Sequence, residues 1–219
     1  MEFALHTKLY LWLRGLLFML TWREKSGFSK QPDAARFTKS EDGGDGGGAS
    51  VRRVVFIRHG ESDWNEVFNK EKHMLLPRAV LGCLREWNPL GKCCRAQDSV
   101  FLDSPLSREG CEQADGLREF LFRTGDPGSN VSVKVARQGT PADSVLVSSN
   151  LRRALHTGLI ALHPRLERNA GERVVLLAQL QEMSRNVDTN SVTAPRQCPE
   201  LGVVTRRLGS DHGRPETWV

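Results

Sequence analysis

Residues Val54-Val55-Phe56-Ile57 form a short β-branched and aromatic run that stops at Arg58-His59-Gly60. Such a run reads as a buried strand, and Gly60 offers an abrupt turn at its end. A chain that buries this strand and then turns sharply is drawn toward an open α/β sheet, where ligands bind at the carboxyl edge of the strands. The turn then presents an arginine and a histidine at that edge. A guanidinium beside a neutral imidazole suits covalent phosphate chemistry: the cation holds the oxyanion while a ring nitrogen attacks phosphorus.

The following residues extend the pattern. Ser62 is suited to cap a helix whose positive end carries Asp63 and Glu66. Residues 70–100 have scattered hydrophobics and no sustained period, and read as a long insertion or mobile loop over the site. Ser107 is the N-cap of a second helix, on which Leu106, Cys111, Ala114, Leu117 and Leu121 follow helical spacing and which Gly125-Asp126-Pro127-Gly128 ends. Ser144–Ser148 reads as a second buried strand, after which Asn150 caps a helix through Leu151, Ala154, Leu155, Leu159 and Leu162, stopped by Pro164. Val174-Val175-Leu176-Leu177 is a third strand, followed by Leu180-Gln181-Glu182. Strands alternating with helices imply an α/β layered domain.

The flanks differ in character. Leu9 to Trp22 is apolar but broken by Arg14, and is shorter than the ~20 residues of a membrane span. It reads as an amphipathic helix, with a signal-anchor or targeting segment as the alternative. Residues 40–50, glycine and acid with nothing apolar larger than Ala49, read as a disordered linker. The expected division is therefore an apolar segment plus linker over 1–50, a domain over 51–190, and a polar, disordered tail over 191–219.

Net charge is +5, from 31 Lys+Arg against 26 Asp+Glu, but the basic residues are interleaved with acids. No zinc-finger, RRM or basic-helix pattern accompanies them, so a solvated surface is read and a nucleic-acid partner is not expected. The surplus of arginine also suits an anionic substrate. Five irregularly spaced cysteines give neither a disulfide framework nor a zinc pattern, and imply reduced thiols in a cytoplasmic compartment. No membrane partner is expected.

Four local patterns occur in order: Arg58-His59-Gly60-Glu61-Ser62-x-x-Asn65, Leu106-Ser107-x-x-Gly110-x-x-Gln113-Ala114, Ser148-Ser149-x-Leu151-x-Arg153-Ala154-x-x-Thr157, and Leu180-Gln181-Glu182. On these residues the chain resembles the histidine phosphatase superfamily, the phosphoglycerate mutase-like enzymes, from Val51 to about Asp188. The resemblance implies a three-layer α/β domain, with a mixed, mostly parallel sheet flanked by helices. It implies that His59 is the nucleophile that becomes phosphohistidine, and that Glu182 is the acid that protonates the leaving oxygen. Arg58 and Arg153 would grip the phosphoryl oxygens, with Ser62 and Asn65 adding donors. No metal or organic cofactor is implied. The substrate would be a phosphorylated small molecule or a phosphoprotein.

In one respect the chain departs from that pattern. The family also needs a second histidine at the end of a late apolar strand, and nothing after Glu182 fits. His212-Gly213 has the letters, but Arg206-Arg207-Leu208-Gly209-Ser210-Asp211 is no buried strand. The C-terminal part of the fold is thus missing or divergent. Losing one donor aimed at developing charge commonly lowers rate on the order of 10²–10³-fold. Two readings follow: a phosphatase with a phosphomutase as its close variant, or an incomplete member that binds phosphorylated ligands without turnover.

Overall fold

The computed structural model describes residues 5–21, 53–70, 72–87, 99–123, 130–182, 186–193, 197–199, 201–208 and 215–219. In chain order the elements are α1 (Leu5–Thr21), α2 (Asp63–Phe68), a 3₁₀ turn (Lys72–Met74), α3 (Leu75–Trp87), α4 (Arg108–Phe122), α5 (Val131–Gln138), β1 (Leu146–Ser148), α6 (Arg152–Ala161), α7 (His163–Arg168), β2 (Val174–Leu176) and α8 (Gly202–Leu208), with further 3₁₀ turns at Ala178–Leu180, Val187–Thr189 and Pro215–Trp218. The chain is a helix-rich α/β fold. Among the described residues its sheet is one parallel pair, β1 beside β2, in register Leu146↔Val174, Val147↔Val175 and Ser148↔Leu176. Leu146, Leu176 and Val174 face the core, whereas Val147 and Val175 stay exposed, so these strands are covered on one face and not buried on both as expected.

The expected first strand does not form. Val54–Ile57 is neither helix nor strand, and Phe56 is 90% exposed. A β-branched run becomes a strand only when a neighbour satisfies its N–H and C=O groups. Among the described residues no strand lies beside it.

The main core sits between α4, α6 and the sheet. Cys111 and Ala114 of α4 meet Leu155, Leu159 and Ile160 of α6, with Leu166 and Val174 completing the layer. Leu201, Val204, Leu208 and Trp218 belong to this same core. The segment read as a polar tail therefore supplies core: Val204 and Leu208 are the buried residues of α8, and Leu201 before it and Trp218 after it join them. The other flank is corrected likewise: Leu11 and Trp12 of α1 pack against Leu102, Val187 and Val192, so α1 is part of the domain. The linker at 40–50, Cys93, Cys94 and His212 lie outside the described residues; Cys83, Cys111 and Cys198 are free thiols.

Residues 72–87 form helix, not the loop expected of them, because a buried charge pair anchors α3. Lys8 Nζ lies 3.0 Å from Glu86 Oε1, both side chains fully buried. Glu86 also accepts from Trp12 Nε1 (2.9 Å), Ser99 Oγ (2.7 Å) and the Val100 amide (2.6 Å). A buried carboxylate is tolerated only with this kind of complete pairing.

Candidate functional site

The turn at His59-Gly60-Glu61 is fastened to α4 and α6. The Gly60 amide donates to Thr157 Oγ1 (3.0 Å), the Glu61 amide to Gln113 Oε1 (2.9 Å), and the Ser107 amide to Glu61 O (3.0 Å). Glycine is required on both sides of the contact: a Cβ on Gly60 would lie 2.6 Å from Gly110 O, and one on Gly110 would run into the Glu61 carbonyl. Ser107 caps α4 as expected, its Oγ accepting from the Gly110 amide (3.1 Å) while donating to Glu61 Oε2 (2.8 Å). Gly110, Gln113 and Thr157 thus position the turn, each from a pattern noted in the sequence.

His59 meets Arg153 at the centre. Arg153 Nε donates to His59 Nε2 at 3.3 Å. The other ring nitrogen, Nδ1, lies 2.7 Å from Gly60 O. A carbonyl oxygen only accepts, so Nδ1 carries the proton and Nε2 bears the lone pair of the neutral ring. Burial lowers the His59 pKa from its ordinary 6.5, and the charges of Arg153 and Arg58 lower it further; the Gly60 bond and Glu182 act in opposition. The neutral ring with its lone pair at Nε2, here accepting from Arg153 Nε, is the tautomer a nucleophile needs.

Arg153 is 1% exposed and fully engaged. Its Nη1 donates to Asp188 O (2.8 Å) and lies 3.3 Å from Asp188 Oδ2, while Nη2 donates to Glu182 Oε2 (2.9 Å). Glu182 is 54% exposed, the solvent-facing partner. Asp188 is buried: desolvation, partly opposed by Arg153, pushes its carboxyl up to about 6, and its Oδ1 has no hydrogen-bond partner.

The neighbouring Arg152 is also buried. Its amide donates to Asp103 Oδ1 (2.8 Å), its Nε to Asp103 O (2.7 Å), and its Nη2 to the carbonyls of Ser99 (2.7 Å) and Leu102 (2.8 Å). Asp103 adopts φ 47°, a left-handed conformation that aspartate tolerates better than most residues, and its Oδ2 accepts from the Val192 amide at 3.2 Å. Arg152 therefore fixes the start of α6, and with it the place of Arg153. Leu151 is the N-cap of α6 and makes no side-chain cap bond; Asn150 instead accepts from Gln181 Nε2 (2.8 Å), which ties the Glu182 segment to this helix. Pro164 sits in the first turn of α7, so it begins the next helix as well as ending α6.

The remaining expected residues are arranged differently. Arg58 is exposed and makes no hydrogen bond or ion pair among the described residues, though its charge acts on His59. Ser62 is fully buried as the N-cap of α2, its Oγ accepting from the Asn65 amide (3.3 Å); the Asn65 side chain accepts from Asn69 Nδ2 (2.8 Å). The structure thus brings together His59, Arg153 and Glu182, places Arg58 beside them, and commits Ser62 to a cap. Asp188 was missed. Its signal was slight, one acid among polar residues after Glu182. Among the described residues no group of three or more His, Cys, Asp or Glu side chains could hold a metal ion.

Compared with known proteins, the chain matches no family model, no curated protein and no solved structure.

Proposed function

We propose that this chain is a phosphatase that hydrolyses phosphate monoesters through a phosphohistidine intermediate on His59. The observation that carries the reading is the tautomer imposed on His59: Nδ1–H spent on Gly60 O, and the Nε2 lone pair held against a buried guanidinium. The resemblance of the four ordered patterns supports it independently of that geometry.

In the proposed reaction, His59 Nε2 attacks phosphorus, the P–O ester bond breaks, and the leaving oxygen takes a proton from the carboxyl pair beside Arg153. Glu182 is the donor the resemblance implies. Asp188, whose buried carboxyl titrates near 6, is a second place for that proton. Water then attacks the phosphohistidine, the P–N bond breaks, and the same carboxyl pair recovers a proton. Arg58 and Arg153 neutralise the phosphoryl oxygens as charge shifts during in-line transfer. The same reading implies a three-layer domain with a mixed, mostly parallel sheet, a cytoplasmic setting, and a phosphorylated small molecule or phosphoprotein as substrate. A phosphomutase would share every step but return the phosphoryl group to a product.

A second reading has its own support. Arg153 is already neutralised by two carboxylates, and the charges that act most on His59 are those of Arg153, Glu182 and Arg58, with no histidine among them. On that reading the chain binds phosphorylated ligands without turnover. Wild type and His59→Ala, incubated with p-nitrophenyl phosphate and probed for acid-labile phosphohistidine, separate the two. Turnover and labelling that vanish in the variant support the phosphatase; phosphate binding with neither supports the binder.

A further inference from the structure

Two helices of this chain are turned with apolar residues toward solvent. On α1 the exposed side chains Leu9, Leu13, Leu16 and Leu20 recur at helical spacing, opposite the buried Lys8 and Gly15. On α3 the exposed set is Leu76, Val80, Leu84 and Trp87, again one stripe, while Gly82 and Glu86 face inward. The helices are neighbours: Lys8 reaches the Glu86 carbonyl (2.7 Å) and lies 5.3 Å from the centre of the Trp87 ring, whose centroid is 6.5 Å from that of Trp12.

The charges on these helices are one-sided. Helix α1 contains no acidic residue, and the single acid of α3, Glu86, is fully buried and paired with Lys8. Arg14 is exposed at the edge of the α1 stripe, and Arg85 at the edge of the α3 stripe, the latter 3.3 Å from Asp63. Apolar stripes flanked by cations, with aromatic Tyr10 and Trp87 exposed beside them, match the headgroup zone of a bilayer, where long basic side chains reach the phosphates. A second copy of the chain would bring the same positive charge against itself. Moreover, no helix among the described residues is long and apolar enough to cross a membrane.

We infer that α1 and α3 together dock this protein on the surface of an anionic phospholipid membrane, lying in the interface without spanning it. This departs from the sequence expectation of no membrane partner, because the pattern becomes visible only when the packed faces are known. It does not depend on the reading of the His59 site.

The test is flotation of the full-length protein with vesicles of phosphatidylcholine alone or with phosphatidylserine added. Binding is expected on the anionic vesicles, falling with salt and at least about fivefold weaker for Arg14→Glu, from roughly 1 kcal/mol per basic residue at such a surface. Leu13→Glu and Leu84→Glu are each expected to abolish it, and Trp87 fluorescence, isolated by comparison with Trp87→Phe, should be quenched by brominated lipid. Circular dichroism of each variant checks that the fold is retained; because these side chains are exposed, Arg14→Glu serves as the second test if a leucine variant misfolds. Equal binding to neutral and anionic vesicles, or none to either, would overturn the inference. So would a dimer in sedimentation that Leu84→Glu dissociates, since the face would then belong to a second copy.

Discussion

Arg153 Nε and His59 Nε2 are 3.3 Å apart, although 94 residues separate them in the chain. The remaining two arms of the same guanidinium hold Asp188 and Glu182, so one side chain holds the histidine and both carboxylates of the site. Arg153→Lys keeps the charge but loses the planar fork. The variant is expected to melt at a lower temperature, because buried Asp188 loses part of its pairing, and to show a kcat/KM on aryl phosphate that falls on the order of 10²-fold while it is still folded. Steady-state kinetics with thermal melts check this, and an unchanged kcat/KM would remove Arg153 from the site.

The two carboxylates are separable by leaving group. Protonation matters little for p-nitrophenolate and greatly for an alkoxide. Glu182→Gln and Asp188→Asn should therefore spare p-nitrophenyl phosphate and slow an alkyl phosphate on the order of 10²–10⁴-fold, whichever residue gives the proton. Equal slowing of both substrates would mean that neither residue is the acid.

Activity is expected to peak on the acid side of neutrality. His59 must be neutral, and its pKa lies below 6.5, so the rate should fall only at lower pH. If Asp188 supplies the proton, the rate also falls as pH rises through about 6. Asp188→Asn would then erase the alkaline limb of kcat/KM. A wild-type profile still rising at pH 8 would contradict both assignments.

How much of this was legible in the sequence depends on what kind of force set each part. Caps and close contacts are local, and Ser62, Ser107 and Gly110 took the positions their neighbours dictate. Arg153 is named by its pattern in the sequence, whereas the work of the neighbouring Arg152 at the start of α6 becomes visible only in the fold. The strand at Val54–Ile57 was misread because pairing is decided by partners remote in sequence. Asp188 was unreadable for the same reason: only the fold brings Val187–Thr189 under α6. The helix at Leu75–Trp87 was hidden because Pro77 and Gly82 interrupt its pattern and the residue that anchors it, Glu86, is charged.

Burial also leaves a signature in stability. Asp63 is buried, and desolvation raises its pKa from 3.8 to about 6 against the pull of Arg85. The folded state thus holds a proton that the unfolded state releases between those values, so this group contributes stability at low pH that is lost as pH rises toward about 6. Asp63→Asn is expected to flatten this loss and to stabilise the protein by about 1–3 kcal/mol at pH 7.5. Urea titrations at pH 4 and 7.5 measure it, and a destabilised variant at the higher pH would refute the assignment.

Gly110→Ala should separate packing from chemistry. Its new Cβ meets the Glu61 carbonyl, backbone that cannot swing aside. Overpacking of this sort typically destabilises by about 1–3 kcal/mol. Because Glu61 adjoins the His59-Gly60 turn, turnover is expected to fall along with the melting temperature, whereas Gly116→Ala, exposed inside α4 with nothing within 4 Å of its new Cβ, should leave turnover unchanged and raise the melting temperature, since alanine favours a helix interior by about 0.5–1 kcal/mol.

Full engagement of Arg153 also changes what ligand binding means. On the proposed reading, a phosphate monoester that reaches that guanidinium displaces a carboxylate, so association would be an anion exchange with little change in local charge. Its apparent affinity carries the penalty of the expelled group, and a proton that neutralises the departing carboxylate removes part of that penalty. Ligand and proton are therefore taken up together, and the site fills most readily where acid has already loosened its own lock.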